Sequence, residues 1–520
     1  MEFLQRISPR EYQQKIFETC IQKNCLVVLP TGLGKTLISL MVCIDRLKKF
    51  PREKILFLAP TKPLAEQHLK YFEKHLPELF AETILFTGII NAKKRKELWQ
   101  TAEIIFSTPQ CIANDLKNRL YDLSEVSLLI EDEAHRCLKN YDYNFIVKEY
   151  KKQGTNQRII GLTASPGSEM AKIKEICRNL NIEEVELRTR HSEDVKDYLQ
   201  ELEFKKIMID FPKEFQEIKD LLKKLFNTYV GELKARGLFY TYPTKTELIK
   251  LQKKISFLLS RGEKRFNYFL GASSCAQAIK MQHALELLET QTLSGFNKYL
   301  KTILDQALKK QSKGVVKLAS KPEFTLAFHK SNILLRKGVE HPKLTRILSL
   351  VQAEKQKNPN AKILVFTQFR ETAQAISKKM NDSKIKSKIF VGQAKKASTG
   401  LNQNQQKKII EEFSEGKIDV LCATCIGEEG LDIPEVGSVI FYEPIPSAIR
   451  TIQRAGRTAR LMKGKLIMLI TKGTRDETNY YVSRSREKKM YSAIDAIKKD
   501  LTEGRGFNSQ LNQKTMESYL

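Results

Sequence analysis

The chain has no apolar run near the roughly 20 residues that cross a bilayer as a helix. It opens MEFLQRISPR, without an apolar signal segment. Both absences point to a soluble intracellular protein with reduced thiols and no membrane partner. Its nine cysteines are scattered. Cys422 and Cys425 form a CxxC, but no second pair or histidine partner sits at zinc spacing, so structural thiols are expected there. Acidic residues are also few: 60 Asp and Glu stand against 89 Lys and Arg, a net charge of +29. That balance suits a polyanion partner, because basic surfaces displace counterions from phosphate backbones. It says nothing about fold.

What is present is organised in two similar blocks. A length of 520 residues, 41% of them hydrophobic, suggests several packed domains. The first block carries the apolar runs CLVVLP (25–30), ILFLAP (55–60), TILFTG (83–88), EIIFSTP (103–109), VSLLIEDEAH (126–135) and RIIGLTASP (158–166). The second carries KILVFTQF (362–369), KIFVGQ (388–393), DVLCATC (419–425), SVIFYEP (438–444) and KLIMLIT (465–471). Near-continuous apolar strands separated by helical stretches indicate parallel sheets buried on both faces. The expectation is two α/β domains with ligands at the strand C-termini. Between them, roughly 188 to 338, lysine-rich segments with apolar residues at helical spacing predict an inserted bundle. From about 491 the composition turns polar, as in a flexible tail.

LPTGLGKT (29–36) lies between a strand and a helical run, the context a phosphate loop requires. Gly32 and Gly34 let the backbone approach an anion. Lys35 offers a charge for the β- and γ-phosphates of ATP, and Thr36 a hydroxyl for Mg²⁺. Leu29 stands where the general pattern has glycine. About a hundred residues on, IEDEAHR (130–136) ends an apolar run. Asp132 there can hold the metal, and Glu133 can orient and deprotonate a water. In QRAGRTAR (453–460), Arg454, Arg457 and Arg460 recur every three residues, near one helical face. Guanidinium groups suit phosphate oxygens. Their place in the second block suggests arginines completing an ATP site on the first domain.

From about residue 10 to 490 this ordered series resembles the superfamily 2 helicases. The resemblance implies two RecA-like domains, 1–187 and 339–490, around an insertion at 188–338. Tyr12 and Gln13 are similar to the adenine-reading element, and Thr31, Gly32, Gly34, Lys35 and Thr36 to motif I. APTKPLAEQH (59–68) resembles motif Ia, STPQ (107–110) motif Ib, DEAH (132–135) motif II and TAS (163–165) motif III. FTQFRET (366–372) resembles motif IV, ATCIGEEGLDIP (423–434) motif V and QRAGRTAR motif VI. The resemblance implies nucleotide contacts at Gly430 and Asp432 and catalytic roles for Gln453, Arg457 and Arg460. Ala459 departs from the glycine usual before the last arginine. It further implies a strand-backbone grip by Thr61, Lys62, Thr108, Gln368 and Thr424, and an insertion (188–338) that holds the duplex or branch, its lysines adding salt-dependent affinity.

LPTGLGKT, FVGQA (390–394), GEEGLDIPEV (427–436) and FYEPIPSAIR (441–450) resemble the archaeal Hef and Fanconi anaemia M helicases, which act on forks and four-way junctions. The expected function is an ATP-dependent helicase or translocase remodelling branched DNA in replication-fork repair. It would work in an archaeal cytoplasm at the nucleoid, or in a nucleus if eukaryotic. No ERKxxxD-like nuclease motif is present, so cleavage is not carried over, and a separate nuclease is the partner this leaves room for. Two alternatives stay open: a duplex-RNA-binding ATPase of the Dicer or RIG-I type, and an ATP-gated junction-binding scaffold. The final octet QKTMESYL (513–520) resembles the peptide that binds the sliding clamp PCNA. Gln513 would fill a polar pocket, and Met516, Tyr519 and Leu520 an apolar groove. The bland reading is an amphipathic tail docking on its own domain.

Overall fold

A computed structural model describes residues 4–77, 79–190, 192–198, 202–263, 265–392, 400–424, 433–447 and 464–503. The first sheet contains β1 (Cys25–Val28), β2 (Lys54–Leu58), β3 (Thr83–Phe86), β4 (Ile104–Ser107), β5 (Val126–Asp132), β6 (Ile159–Thr163) and β7 (Glu184–Leu187). Their spatial order is β3-β4-β2-β5-β6-β1-β7, and every pairing is parallel. The second sheet adds β8 (Leu202–Ile209), β9 (Ile363–Phe366), β10 (Ser387–Phe390), β11 (Val420–Ala423), β12 (Ser438–Phe441) and β13 (Gly464–Thr471). Its order is β10-β11-β9-β12-β13-β8, again all parallel. Helices bury both faces of each sheet, so the central strands carry apolar side chains on both sides.

All eleven apolar runs expected as strands contain one. The two strands not anticipated, β7 and β8, end their sheets. Edge strands face water on one side and carry charge; β8 reads LEFKKIMI, with its second to fifth residues exposed.

β8 changes the domain boundaries. It pairs with β13 along all eight residues, Leu202 opposite Gly464 through Ile209 opposite Thr471. The insertion therefore does not start at 188. The second sheet begins at 202, and the bundle runs from the helix Lys213–Ala235 through Lys245–Ser260, Phe266–Thr290, Leu293–Leu308 and Lys313–Ala319 to Pro322–Arg336. These helices share one core around Phe215, Leu222, Phe239, Met281 and Phe296. The tail expected from 491 is also corrected. The helix Arg475–Thr502 continues through that point. Met490, Ala493, Ile494 and Ile497 lie in the core of the first domain, which gives this part of the helix an apolar partner.

A buried polar network joins bundle to second domain. Lys343, in the helix Pro342–Lys357, pairs with Asp476, and neither side chain is exposed. Lys343 Nζ also donates to the Thr290 carbonyl at 3.2 Å. Glu289 receives Lys219 at 3.0 Å and the Arg475 backbone N–H at 3.2 Å. Burial, with Lys343 beside it, pushes the His341 pKa down to about 3, so this ring is neutral inside the network. The eight described cysteines are all buried and free, including Cys422, and no metal-holding cluster occurs among the described residues. Cys425 lies outside them. Among the described residues no helix is long and apolar enough to cross a membrane.

Candidate active site

After β1 the chain turns through 29–34 into the helix Lys35–Lys49. Gly32 and Gly34 take φ of +91° and +82°, left-handed values that a side chain disfavours. A Cβ on Gly34 would also collide with Gln13 Nε2. That closeness has a purpose: Gln13 Nε2 and Tyr12 Oη both donate to the Leu33 carbonyl, at 3.0 and 2.8 Å. Tyr12 is wholly buried and Gln13 nearly so. This pair braces the loop. Tyr12 has no exposed surface in this arrangement, its ring packing inside and its hydroxyl on the loop. Lys35 Nζ donates back to the Leu29 carbonyl at 2.9 Å, and Thr31 sits in the turn itself.

At the centre of the sheet, fourth from either edge, β5 delivers the acids. Asp132 Oδ2 lies 2.9 Å from His68 Nε2, and His68 Nδ1 lies 3.4 Å from Thr36 Oγ1. One imidazole thus bridges the phosphate loop and the DEAH strand. Burial works to raise the Asp132 pKa, but His68 and Lys35 beside it hold it below the usual carboxylate range. His68 sits on the helix Lys62–His75, against the Phe57 ring with centroids 4.5 Å apart. Sequence reasoning passed over it, although it closes the motif Ia run. The available signal was a histidine two turns into the helix that follows β2, next to the DEAH strand.

Glu133 is held in the left-handed region, φ 52° and ψ 46°, which costs a non-glycine residue about 1–2 kcal/mol. The turn lifts its carboxylate off the strand. Its Oε2 lies 3.2 Å from His135 Nδ1 without hydrogen-bond alignment; that nitrogen aligns instead with Thr163 Oγ1, at 3.2 Å. Thr163 accepts the Ser165 N–H at 3.1 Å, and the Ser165 hydroxyl reaches Met490 Sδ at 2.8 Å. DEAH, TAS and the long helix Arg475–Thr502 are thereby connected by successive contacts. Glu131, one residue before Asp132, is buried wholly, and burial pushes its pKa up.

The expected strand-gripping residues fall in two matching places. Thr61 and Thr108 precede the helices Lys62–His75 and Pro109–Lys117, after the adjacent strands β2 and β4. Neither threonine caps its helix, and Lys62 opens the first of them. Uncapped helix starts present N–H groups to anions. Gln368 and Thr424 follow the adjacent strands β9 and β11. Gln368 donates its backbone N–H to Glu443. Thr424 is 5% exposed and its N–H goes to Phe390 at 3.1 Å, and the Thr61 hydroxyl is also buried, so these two side chains are little available.

A cleft of about 600 Å³ separates the domains, lined by Thr36, His68 and Tyr71 on one side and Lys407, Ile410 and Pro434 on the other. Lys407 and Glu66 bridge it at 3.4 Å. Gly430, Asp432, Gln453, Arg454, Arg457, Arg460, Gln513, Met516, Tyr519 and Leu520 lie outside the described residues.

A phosphate loop and a DEAH strand facing a second parallel sheet across a cleft define the superfamily 2 helicase class. The DEAD/DEAH box helicase family matches residues 10–173, and the helicase conserved C-terminal domain matches 342–462. A helical-bundle family, "Putative ATP-dependent RNA helicase, helical bundle", matches 214–335. The crystal structure of the Pyrococcus furiosus Hef helicase domain is 40% identical, with TM-score 0.72, over 93% of this chain and 100% of that one. The chain belongs to the ATP-hydrolysing helicases of the Hef and Fanconi anaemia M type. Among curated relatives, an ATP-dependent RNA helicase of Methanocaldococcus jannaschii, itself named as putative, is 39% identical over 93% of this chain and 60% of its own length. The ATP-dependent DNA helicase fml1 of Schizosaccharomyces pombe is 30% identical over 96% and 61%. The mouse Fanconi anemia group M protein homolog is 30% identical over 93% and 26%. The chain thus spans between about a quarter and three fifths of these relatives.

Proposed function

We propose that the chain is an ATP-dependent DNA translocase that remodels forks and four-way junctions. The observation that carries this reading is the 40% identity to the Hef helicase domain across that domain's whole length. Lys35 and the loop N–H groups would bind the ATP phosphates, helped by the positive end of the helix Lys35–Lys49. The Thr36 hydroxyl and Asp132 carboxylate converge on one imidazole, and such oxygen donors fit Mg²⁺. When bound, Mg²⁺ would neutralise phosphate charge. Glu133, lifted by its turn, would orient and deprotonate the attacking water. Gln453, Arg457 and Arg460 would complete the site from the second domain. ATP would then bind the closed pair of domains more tightly than the open pair, and that difference drives a cycle. The helix starts after β2 and β4, with Gln368 and Thr424 opposite, would hold phosphates without reading sequence.

DNA-stimulated ATPase across single strand, duplex, fork and four-way junction, with matched RNA controls, tests the reading. Stimulation strongest on branched DNA is expected; none by any DNA would sink it. Glu133→Gln should keep ATP binding and stop strand movement, whereas the scaffold alternative expects fork processing to survive. The RNA reading draws on the printed description of the bundle family and on the Methanocaldococcus relative. It predicts stronger stimulation by duplex RNA. The QKTMESYL pattern supports a clamp contact, which clamp titration of the isolated octapeptide would test.

A further inference from the structure

The bundle carries a feature its core does not need. Four aromatic side chains stand in solvent near one end: Tyr240 at 82% exposure, Phe266 at 76%, Phe257 at 53% and Phe269 at 51%. Three helices bring them together. The helix Lys213–Ala235 ends beside the start of Phe266–Thr290, where Arg236 and Asn267 exchange two hydrogen bonds of 3.2 Å. The helix Lys245–Ser260 ends six residues before that same start in the chain. Leu238 packs at this end, so close to Gly271 that a Cβ there would collide with it, and 3.6 Å would separate that Cβ from Ile255 Cδ1. Tyr240 folds back toward Gly237. The rings are surplus to packing, since Phe215, Phe239 and Phe296 already fill the interior.

A cation sits on one of the rings, and others are close by in the chain. The Arg261 guanidinium lies 4.4 Å from the Phe257 ring centroid. Arg265, Lys253 and Lys254 are exposed nearby, with Glu263 the acid of the same turn. Exposed aromatic clusters mark binding surfaces. Rings among cations are the chemistry of base stacking beside a phosphate backbone.

We propose that this end of the bundle is a stacking platform for the unpaired bases of a branch point. The inference rests on the reading that the chain acts on branched DNA, and names the surface that recognises the branch. A continuous duplex keeps its base faces stacked inside, and gives such a platform only phosphates. A fork offers free base faces at its junction. Selectivity for branches then arises without reading sequence, because every base has a π-face.

The test uses the full chain and forks with 2-aminopurine at the unpaired position next to the branch. Binding of the parent protein should change that base's fluorescence, and the chain should prefer fork over duplex of equal length. The variant Tyr240→Leu/Phe266→Leu keeps apolar bulk and removes two rings. It should lose the fluorescence change and most of the fork preference, roughly tenfold for each stacked base lost. Tyr240→Phe/Phe266→Tyr should restore both. Circular dichroism establishes that each variant is folded. An unchanged fluorescence response and fork preference in the leucine variant would overturn the platform and leave the face to a protein partner. A parent ATPase unstimulated by any DNA would instead overturn the motor reading, so the two failures are distinguishable.

Discussion

Replacing Lys343 with methionine should loosen the bundle from the second domain without touching the first. The ammonium is the only cation paired with Asp476 among the described residues, and both side chains have zero exposure. It also holds the Thr290 carbonyl, at the end of a bundle helix. Asp476 keeps one further donor, the Thr471 N–H at 3.0 Å, while its Oδ1 has no hydrogen-bond partner among the described residues. Breaking one side of such a pair costs about 3–5 kcal/mol. The loss should depend on pH. Burial raises the Asp476 pKa even with Lys343 present, and removing Lys343 raises it further. The folded pKa then lies above the unfolded value of about 3.9, so the folded state holds more protons between the two. Stability is lost as pH rises through the folded value and regained as pH falls toward the unfolded one. The deficit at pH 7 should therefore shrink at pH 5. Adding Asp476→Leu should recover most of it, because an apolar pair leaves no charge behind. Urea unfolding separates the domains by probe. Trp99, the single tryptophan, is stacked on Tyr121 at 3.9 Å in the first domain, so its fluorescence reports that domain. Far-UV circular dichroism reports all the helices, those of the bundle included. The helical midpoint should fall while the Trp99 midpoint stays. Equal shifts in both, or none in either, would refute the reasoning.

Gly34→Ala should weaken ATP-analogue binding at least tenfold, since it strains a φ of +82° and strikes Gln13; fluorescent-nucleotide titration gives the affinity, and a parental value would contradict the loop geometry. Met490→Ala removes a fully buried side chain from the first-domain core and should destabilise by about 2–5 kcal/mol, seen as an earlier Trp99 transition. Glu66→Ala breaks a cleft pair whose members are 27% and 51% exposed. It should change stability by less than about 1 kcal/mol, measured by the same unfolding curves.

The apolar strands were legible because a sheet buried on both faces leaves little room for polar residues. β7 and β8 were not, since the edge of a sheet tolerates the alternation EVEL and the lysines of LEFKKIMI. Missing β8 moved a domain boundary, as the strand belongs to a sheet whose other members begin some 150 residues later. The helix past residue 490 was hidden for a similar reason. Over the whole helix the composition is polar, and the apolar residues that meet the first domain are gathered in its last part. At the site, the loop and the DEAH strand carry local patterns that chemistry dictates. His68 carries no such pattern. Its position between Thr36 and Asp132 is a product of strand order, β2 lying next to β5, and strand order is not written in any short segment.

The same connections say how a change at the nucleotide could reach the branch. The bundle is bound to the second domain by Lys343, Glu289, Lys219 and Arg475, mostly out of solvent, so the two should travel together. The second domain reaches the first through the helix Arg475–Thr502, whose Met490 meets Ser165 and whose Asp500 meets Lys174 at 2.8 Å. Across the cleft, by contrast, the described pair Lys407–Glu66 is exposed and weak. The firm attachment is thus at the TAS loop, one contact from His135 and the DEAH turn, and the yielding one is at the mouth. Closing the cleft on ATP would swing the second domain about the helix and carry the bundle's aromatic end with it, so that a small rotation at the TAS loop becomes a larger displacement at the proposed stacking platform.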